Sequence, residues 1–368
     1  MTNKPVVIVQ PHQYDVVSAN YKANDTREIR PSHLEAIYNR GGAELTDDML
    51  DTADAFLKEY ASIKGGMRDS SWVALQYHWH MFSSYCKERG VQPLPTEHSV
   101  LKGYIEHRST LIKWSSLRSD VWAINSINKA SGFGSPGSDS IILATVKRIS
   151  EKQVAEGRSI TQATALTYHD LLIIIEHFEN TTSIKEMRAL ACIALSFNCM
   201  LRSSELLALK VSDIDFKKKM LQIRISKTNH SGKADILRVS QFVIDILHKY
   251  FLLIGWDYDD QKMQNKYLFQ RISKYDRLVK SNNPITTGTL REQVYKFVFE
   301  IVKHNHINEP PFSTHSSRVG GCQMLWEKNA TLEEIMKTGR WSSSEMAYRY
   351  GRGYELVDST MNSTFDKK

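Results

Sequence analysis

The chain has 368 residues, about twice a common single-domain length of ~150, so two domains are the expectation. Hydrophobic residues make up 41% and charged residues 24%, an ordinary globular composition that argues against disordered, collagen-like and coiled-coil classes. A net charge of +7, from 48 Lys and Arg against 41 Asp and Glu, favours polyanionic partners without requiring them. The longest charge-poor apolar stretch, Ala189 to Leu201, falls short of the roughly 20 residues a spanning helix needs. Met1 to Gln10 is too weakly apolar for a signal peptide, so a cytoplasmic protein is expected. Cys86, Cys192, Cys199 and Cys322 include no C-x-x-C pair. They read as reduced, buried thiols, with neither a disulfide framework nor a metal site indicated.

Residues 1–46 mix Asn, Asp, Pro and Gly with weak periodicity and read as a mobile N-terminal arm; Gly41-Gly42 precedes Thr46, an expected N-cap. Apolar residues then recur at helical spacing: Met49, Ala53, Phe56 and Tyr60, followed by Trp72, Leu75, Trp79, Phe82 and Cys86. Pro93 and Pro95 interrupt, and Thr96 predicts the cap of a helix reaching about His107. Leu117, Val121, Ile124 and Asn128 carry the pattern to a break at Gly132–Gly137, and a helix over Asp139–Gln153 closes an all-helical domain at 47–154.

Residues 155–163, with Gly157, Arg158 and Ser159, read as a linker to a second domain at 164–353. Helices are predicted at Tyr168–Glu179 and Ser183–Asn198, after which the period changes. Leu221–Ser226 alternates apolar and polar residues, a turn follows at Asn229–Gly232, and Ala234–Val239 reads as the return strand. Helical patterns resume at Val243–Leu253, at Thr289–Val302 behind a Thr289-x-x-Glu292 capping box, and at Val319–Glu327 and Leu332–Lys337. The expected fold is mainly α: a helical N-terminal domain joined to an α+β domain with a small antiparallel sheet.

Three separated places carry chemistry. One is Leu201-Arg-Ser-Ser-Glu-Leu206, where Arg202 and Glu205 share a helix face. Another is Lys227, at the mouth of the predicted hairpin, among Lys217, Lys218, Lys219 and Lys233. The third is the run Thr314-His-Ser-Ser-Arg-Val-Gly320, then Gly339-Arg-Trp341, then Tyr350, which Tyr348 and Tyr354 flank. Each alone is ordinary: an i,i+3 ion pair, a capping histidine, a core tryptophan. In this order and spacing, Arg202, Lys227, His315-x-x-Arg318, Trp341 and Tyr350 resemble the active-site set of the tyrosine recombinase (phage integrase) family, over roughly residues 47 to 365.

The chemistry agrees with that resemblance. A strand break that needs neither water nor ATP requires a nucleophile that keeps the phosphodiester energy in a covalent bond, and a tyrosine phenolate does so. Negative charge then develops on non-bridging phosphate oxygens, for which the forked guanidiniums of Arg202 and Arg318 are fitting donors. The leaving 5′-oxygen needs a proton, which suits the flexible ammonium of Lys227. Two roles stay open for His315, accepting the tyrosine proton or holding a phosphate oxygen. The Trp341 indole adds a donor, and Glu205 is expected to orient its neighbours. No metal or other cofactor is called for.

The resemblance further implies a two-domain clamp on duplex DNA, a homotetramer assembled on two inverted-repeat sites, a Holliday junction intermediate, and a nucleoid setting in a prokaryotic phage or plasmid context. Lys113, Arg118, Lys147 and Arg148 in the first domain, and Arg291, Gln293 and Lys296 in the second, are the candidate DNA contacts. Tyr354, Val357, Met361 and Phe365 form an apolar stripe on a predicted tail helix over 354–368 that must be buried, either back on its own domain or, as the resemblance implies, on a neighbouring subunit. Two alternatives stay open at this point. One is a type IB topoisomerase-like or telomere-resolving enzyme using the same residues, and the other a non-catalytic DNA-binding protein of the same fold.

Overall fold

The computed structural model describes residues 47–158, 162–224 and 234–352. The expected arm, part of the linker, Lys227 with its hairpin turn, and the tail stripe lie outside the described residues. The chain divides into two compact units at Thr161/Gln162.

The first unit is helical throughout its described part: α1 (Asp47–Ser62), α2 (Asp69–Glu88), α3 (His98–Leu111), α4 (Trp114–Ala130) and α5 (Ser140–Ala155). Most of the residues at helical spacing make its core, with Leu75, Phe82, Cys86, Leu117 and Ile124 fully buried, but on α1 it is Leu57 and not the expected Phe56 that packs against it. Asp139 caps α5 by accepting from the Ile141 N–H at 2.8 Å. Thr96 does not cap α3, whose N-cap is Glu97. Its hydroxyl instead donates to the Pro93 carbonyl at 2.7 Å, and its N–H to Asn128 Oδ1 at 3.0 Å, which ties the proline turn to α4. The buried Asp120 carboxylate is met by His78 Nδ1 at 2.6 Å and Arg108 Nε at 3.3 Å, so the charge inside this unit is paired.

In the second unit, α6 (Tyr168–Phe178) and α7 (Ile184–Asn198) lead into the short α8 (Ser203–Ala208). Every residue of α7 from Met187 to Phe197 is buried, which makes it the central element of the unit's core. Three strands, β1 (Ile214–Asp215), β2 (Met220–Ile223) and β3 (Asp235–Arg238), form an antiparallel sheet in sequential order, with Leu221 facing both Ile214 and Leu237. The two-residue β1 is too short to show an alternating pattern and escapes a periodicity reading.

Then α9 (Gln241–Ile254) packs on α7. It is followed by α10 (Thr287–Leu290), a π-turn (Arg291–Tyr295) and α11 (Lys296–Val302). The cap of this last run is Thr286, which accepts from the Thr289 N–H at 3.0 Å. The Thr289–Glu292 capping box is therefore not formed, because Thr289 lies inside the helix and the Glu292 carboxylate is taken by Arg291 and Lys296. The C-terminal part comprises α12 (Ser316–Glu327), α13 (Leu332–Gly339) and α14 (Ser344–Tyr350). Tyr350 is the last residue of α14, and the tail helix expected at 354–368 lies outside the described residues.

The segment entering this unit, residues 162–167, lies hard against α12. Leu166 N–H donates to the Ser316 carbonyl at 3.1 Å, and Thr164 Oγ1 to the Pro310 carbonyl at 2.7 Å. A Cβ on Gly320 would stand 1.6 Å from the Leu166 carbonyl oxygen, so only glycine lets the two backbones meet. Replacing Gly320 by Ala is expected to cost about 3 kcal/mol, at the upper end of core overpacking because backbone must move. That loss lowers the melting temperature by on the order of 10 °C. Thermal unfolding followed by circular dichroism checks this, and an unchanged midpoint would contradict the close packing.

Candidate active site

Arg202 follows a tight turn in which Met200 adopts a left-handed conformation (φ 45°), and it is the N-cap of α8. Glu205, one turn on, reaches back: Oε2 accepts from the Arg202 N–H at 2.9 Å and Oε1 from Arg202 Nη1 at 2.7 Å. The carboxylate is fully buried. Burial pushes its pKa up, but the Arg340 charge and then the Arg202 hydrogen bonds outweigh that and hold it below the usual carboxylate range. Glu205 therefore stays ionised and acts as a fixed anchor.

Arg318 sits in the first turn of α12, where Ser316, Ser317, Gly320 and Gly321 are small enough for the helix to press into the core. Its side chain is buried, with Nη1 donating to the Met200 carbonyl and Nη2 to the Gly339 carbonyl at 2.9 Å. Burial, then the Arg202 and Arg340 charges, bring its pKa down to about 10, with Glu205 and Tyr350 opposing. The Arg318 guanidinium carbon lies 5.2 Å from the centre of the Trp341 ring, a cation–π contact. Trp341 in turn stacks on Tyr350 at 5.4 Å and 16°, and its buried indole N–H has no acceptor among the described residues. Tyr350 is half-buried, and its carbonyl accepts from Gln162 Nε2 at 3.0 Å. Tyr348 is exposed and stacks on a different ring, Trp326, at 5.6 Å.

The structure thus brings Arg202, Glu205, Arg318, Trp341 and Tyr350 together. His315 caps α12 and is exposed, its carbonyl accepting from the Arg318 N–H at 3.0 Å and its own N–H donating to Ser313 Oγ at 3.2 Å. Lys227 lies outside the described residues. One member of the cluster was missed by sequence reasoning. In sequence Arg340 is only the neighbour of Trp341, yet its Nη2 donates to Glu205 Oε2 at 2.7 Å. A pairing across 135 residues leaves no local spacing signal in the sequence. Among the described residues, no group of three or more His, Cys, Asp or Glu could hold a metal ion.

The proposed DNA contacts fall on exposed surface. Lys113, Arg118, Lys147 and Arg148 are all exposed, Arg148 pairing with Glu106 at 3.0 Å and Lys147 lying 3.9 Å from Glu151. Arg291 and Lys296 are exposed and both contact Glu292 at 2.9 Å. Gln293 Oε1 accepts from the buried Arg188 at 3.2 Å, so this acceptor is already engaged within the fold. Among the described residues no helix is long and apolar enough to cross a membrane.

Recombinase cre of Escherichia phage P1 is 22% identical over 340 residues, covering 90% of this chain and 97% of that protein. Among solved structures, the Tn1549 transposon integrase in complex with transposon right end DNA has a TM-score of 0.59 at 10% identity, covering 86% of this chain and 98% of that one. XerH site-specific recombinase bound to palindromic difH substrate has a TM-score of 0.57 at 12% identity, covering 90% and 94%. These structural likenesses show the fold. The family model described as phage integrase family matches residues 164–355, more than half of the chain and all of the clustered residues above. The chain therefore belongs to the phage integrase family, and is a tyrosine site-specific recombinase, an enzyme that breaks and rejoins DNA strands without ATP.

Proposed function

We propose that the protein recombines two inverted-repeat DNA sites conservatively, through a 3′-phosphotyrosyl intermediate and a Holliday junction, as a homotetramer in a phage or plasmid context. The observation that carries this reading is the convergence of the Arg318 and Arg202 guanidiniums, an indole N–H with no acceptor among the described residues, and one tyrosine ring in a single cluster.

Tyr350 Oη attacks phosphorus, forming the phenolic O–P bond as the bond to the 5′-oxygen breaks. The electron pair leaves on that oxygen, and Lys227 supplies its proton. Arg202 and Arg318 meet the charge that grows on the non-bridging oxygens, and the Trp341 N–H supplies a further donor. His315 takes the phenolic proton or holds a phosphate oxygen. The reverse attack, by a 5′-hydroxyl of the partner strand, reseals the DNA and frees Tyr350, so no external energy source enters the balance. The exposed basic residues of both units supply contacts to the DNA backbone.

The test substrate is a duplex site selected from a random-sequence pool by binding to the protein and nicked between its repeats to trap cleavage. Tyr350→Phe should abolish the covalent complex and leave binding intact, while Tyr348→Phe should still cleave. Peptide mapping checks the attachment, and DNA linked to Tyr348 would overturn the assignment. Lys227→Ala should be inactive on this duplex and largely restored when the bridging 5′-oxygen is replaced by sulfur, a leaving group that needs little protonation. Failure of that rescue would assign the proton to another residue.

A further inference from the structure

Arg340 occupies a backbone position that favours glycine. It closes α13 with φ 53° and ψ 50°, the left-handed region that costs an arginine free energy glycine would not lose. Its side chain is only 7% exposed, so a cation is also removed from water. Two unfavourable features at one residue need compensation, and the guanidinium contacts supply it. Nη1 donates to the Cys199 carbonyl at 2.9 Å and the Thr338 carbonyl at 3.3 Å. Nη2 donates to the Met200 carbonyl at 3.2 Å and Glu205 Oε2 at 2.7 Å. The fork therefore grips the turn just before Arg202, from a loop just before Trp341. The Met200 carbonyl it holds is also an acceptor for Arg318.

We infer that Arg340 is a positioning residue for strand cleavage, which shares the Glu205 carboxylate with Arg202 and locks the Cys199–Met200 turn, leaving Arg202 and Arg318 with surplus positive charge for the scissile phosphate. The inference rests on the proposed phosphate-binding role of those two arginines. Arg202, Arg318 and Arg340 against the Glu205 carboxylate leave a surplus of two positive charges. A phosphodiester carries one negative charge and gains a second as a phenolate adds to phosphorus. Without Arg340 the surplus falls to one, and both Glu205 oxygens are free to draw Arg202 away from the phosphate. Arg340 is also the strongest charge acting to keep Glu205 ionised. It touches no reacting atom, so its effect passes through Glu205 and the turn.

The experiment measures single-turnover cleavage of the selected, nicked duplex, together with site affinity, at a temperature where circular dichroism shows each variant folded. Arg340→Gly relieves the backbone and deletes the guanidinium. It should cleave on the order of 10²-fold more slowly, the scale of a misplaced catalytic group, with affinity for the duplex unchanged. Arg340→Lys, which keeps the charge without the fork, should fall between Arg340→Gly and the unaltered protein, and serves as the test variant if Arg340→Gly does not fold. Adding Glu205→Gln to Arg340→Gly should recover part of the lost rate, because a neutral amide no longer competes for Arg202. Slow cleavage with no recovery in that double variant would mean that Arg340 only supports packing, and would overturn the inference. Cleavage by Arg340→Gly at the unaltered rate, with Arg318→Ala inactive in the same assay, would overturn it while leaving the proposed function standing. Arg318→Ala cleaving normally would remove the proposed phosphate site, and the inference with it.

Discussion

A guanidinium taken out of water must find both its hydrogen bonds and its counter-charge inside the protein, and the second unit is arranged around that requirement. Arg318 is 1% exposed, and the turn at Met200 and the end of α13 supply the carbonyls it needs. Arg202 and Arg340 meet on the two oxygens of Glu205. Elements far apart in sequence, α8, α12 and the α13–Trp341 corner, are held at one point by shared acceptors. The small residues of α12 follow from the same demand, since Arg318 can reach the turn only if its helix lies against α7 and the backbone at Leu166.

Two indole rings sort the tyrosines at the C-terminal end. Tyr348 and Tyr350 are two residues apart on α14 and so point in different directions. The first lies on Trp326 and the second on Trp341, beside the buried guanidinium of Arg318. Sequence spacing from Trp341 singled out Tyr350, and the stacking gives that spacing a physical meaning. A tryptophan at 341 fixes the plane of the ring nine residues later.

Much of the architecture was legible because burial repeats at helical spacing. Leu75, Trp79, Phe82 and Cys86 were marked as one face and are one buried face. The caps were less legible. Thr96 and Thr289 have the right side chains, yet the proline turn claims the first, and Thr286 starts the helix one turn before the second. A capping motif states what a residue can accept without stating which neighbour arrives first. Within the site, Arg202 with Glu205 and His315 with Arg318 announced themselves through short spacings. Arg340 did not, since its partners are set by tertiary packing alone.

The segment that opens the second unit is bonded to both helices that carry the site. Gln162 binds the carbonyl of Tyr350, Thr164 that of Pro310, and Leu166 that of Ser316. Five consecutive residues therefore span the distance from the helix that ends in Tyr350 to the helix that carries Arg318. They work as a strut with a bond at each end and one in the middle. Because Gly320 leaves no clearance at Leu166, the strut has no play at that end. A shift of this segment would have to break its bonds to one helix or carry both helices with it, so its path and the spacing of those two helices are tied.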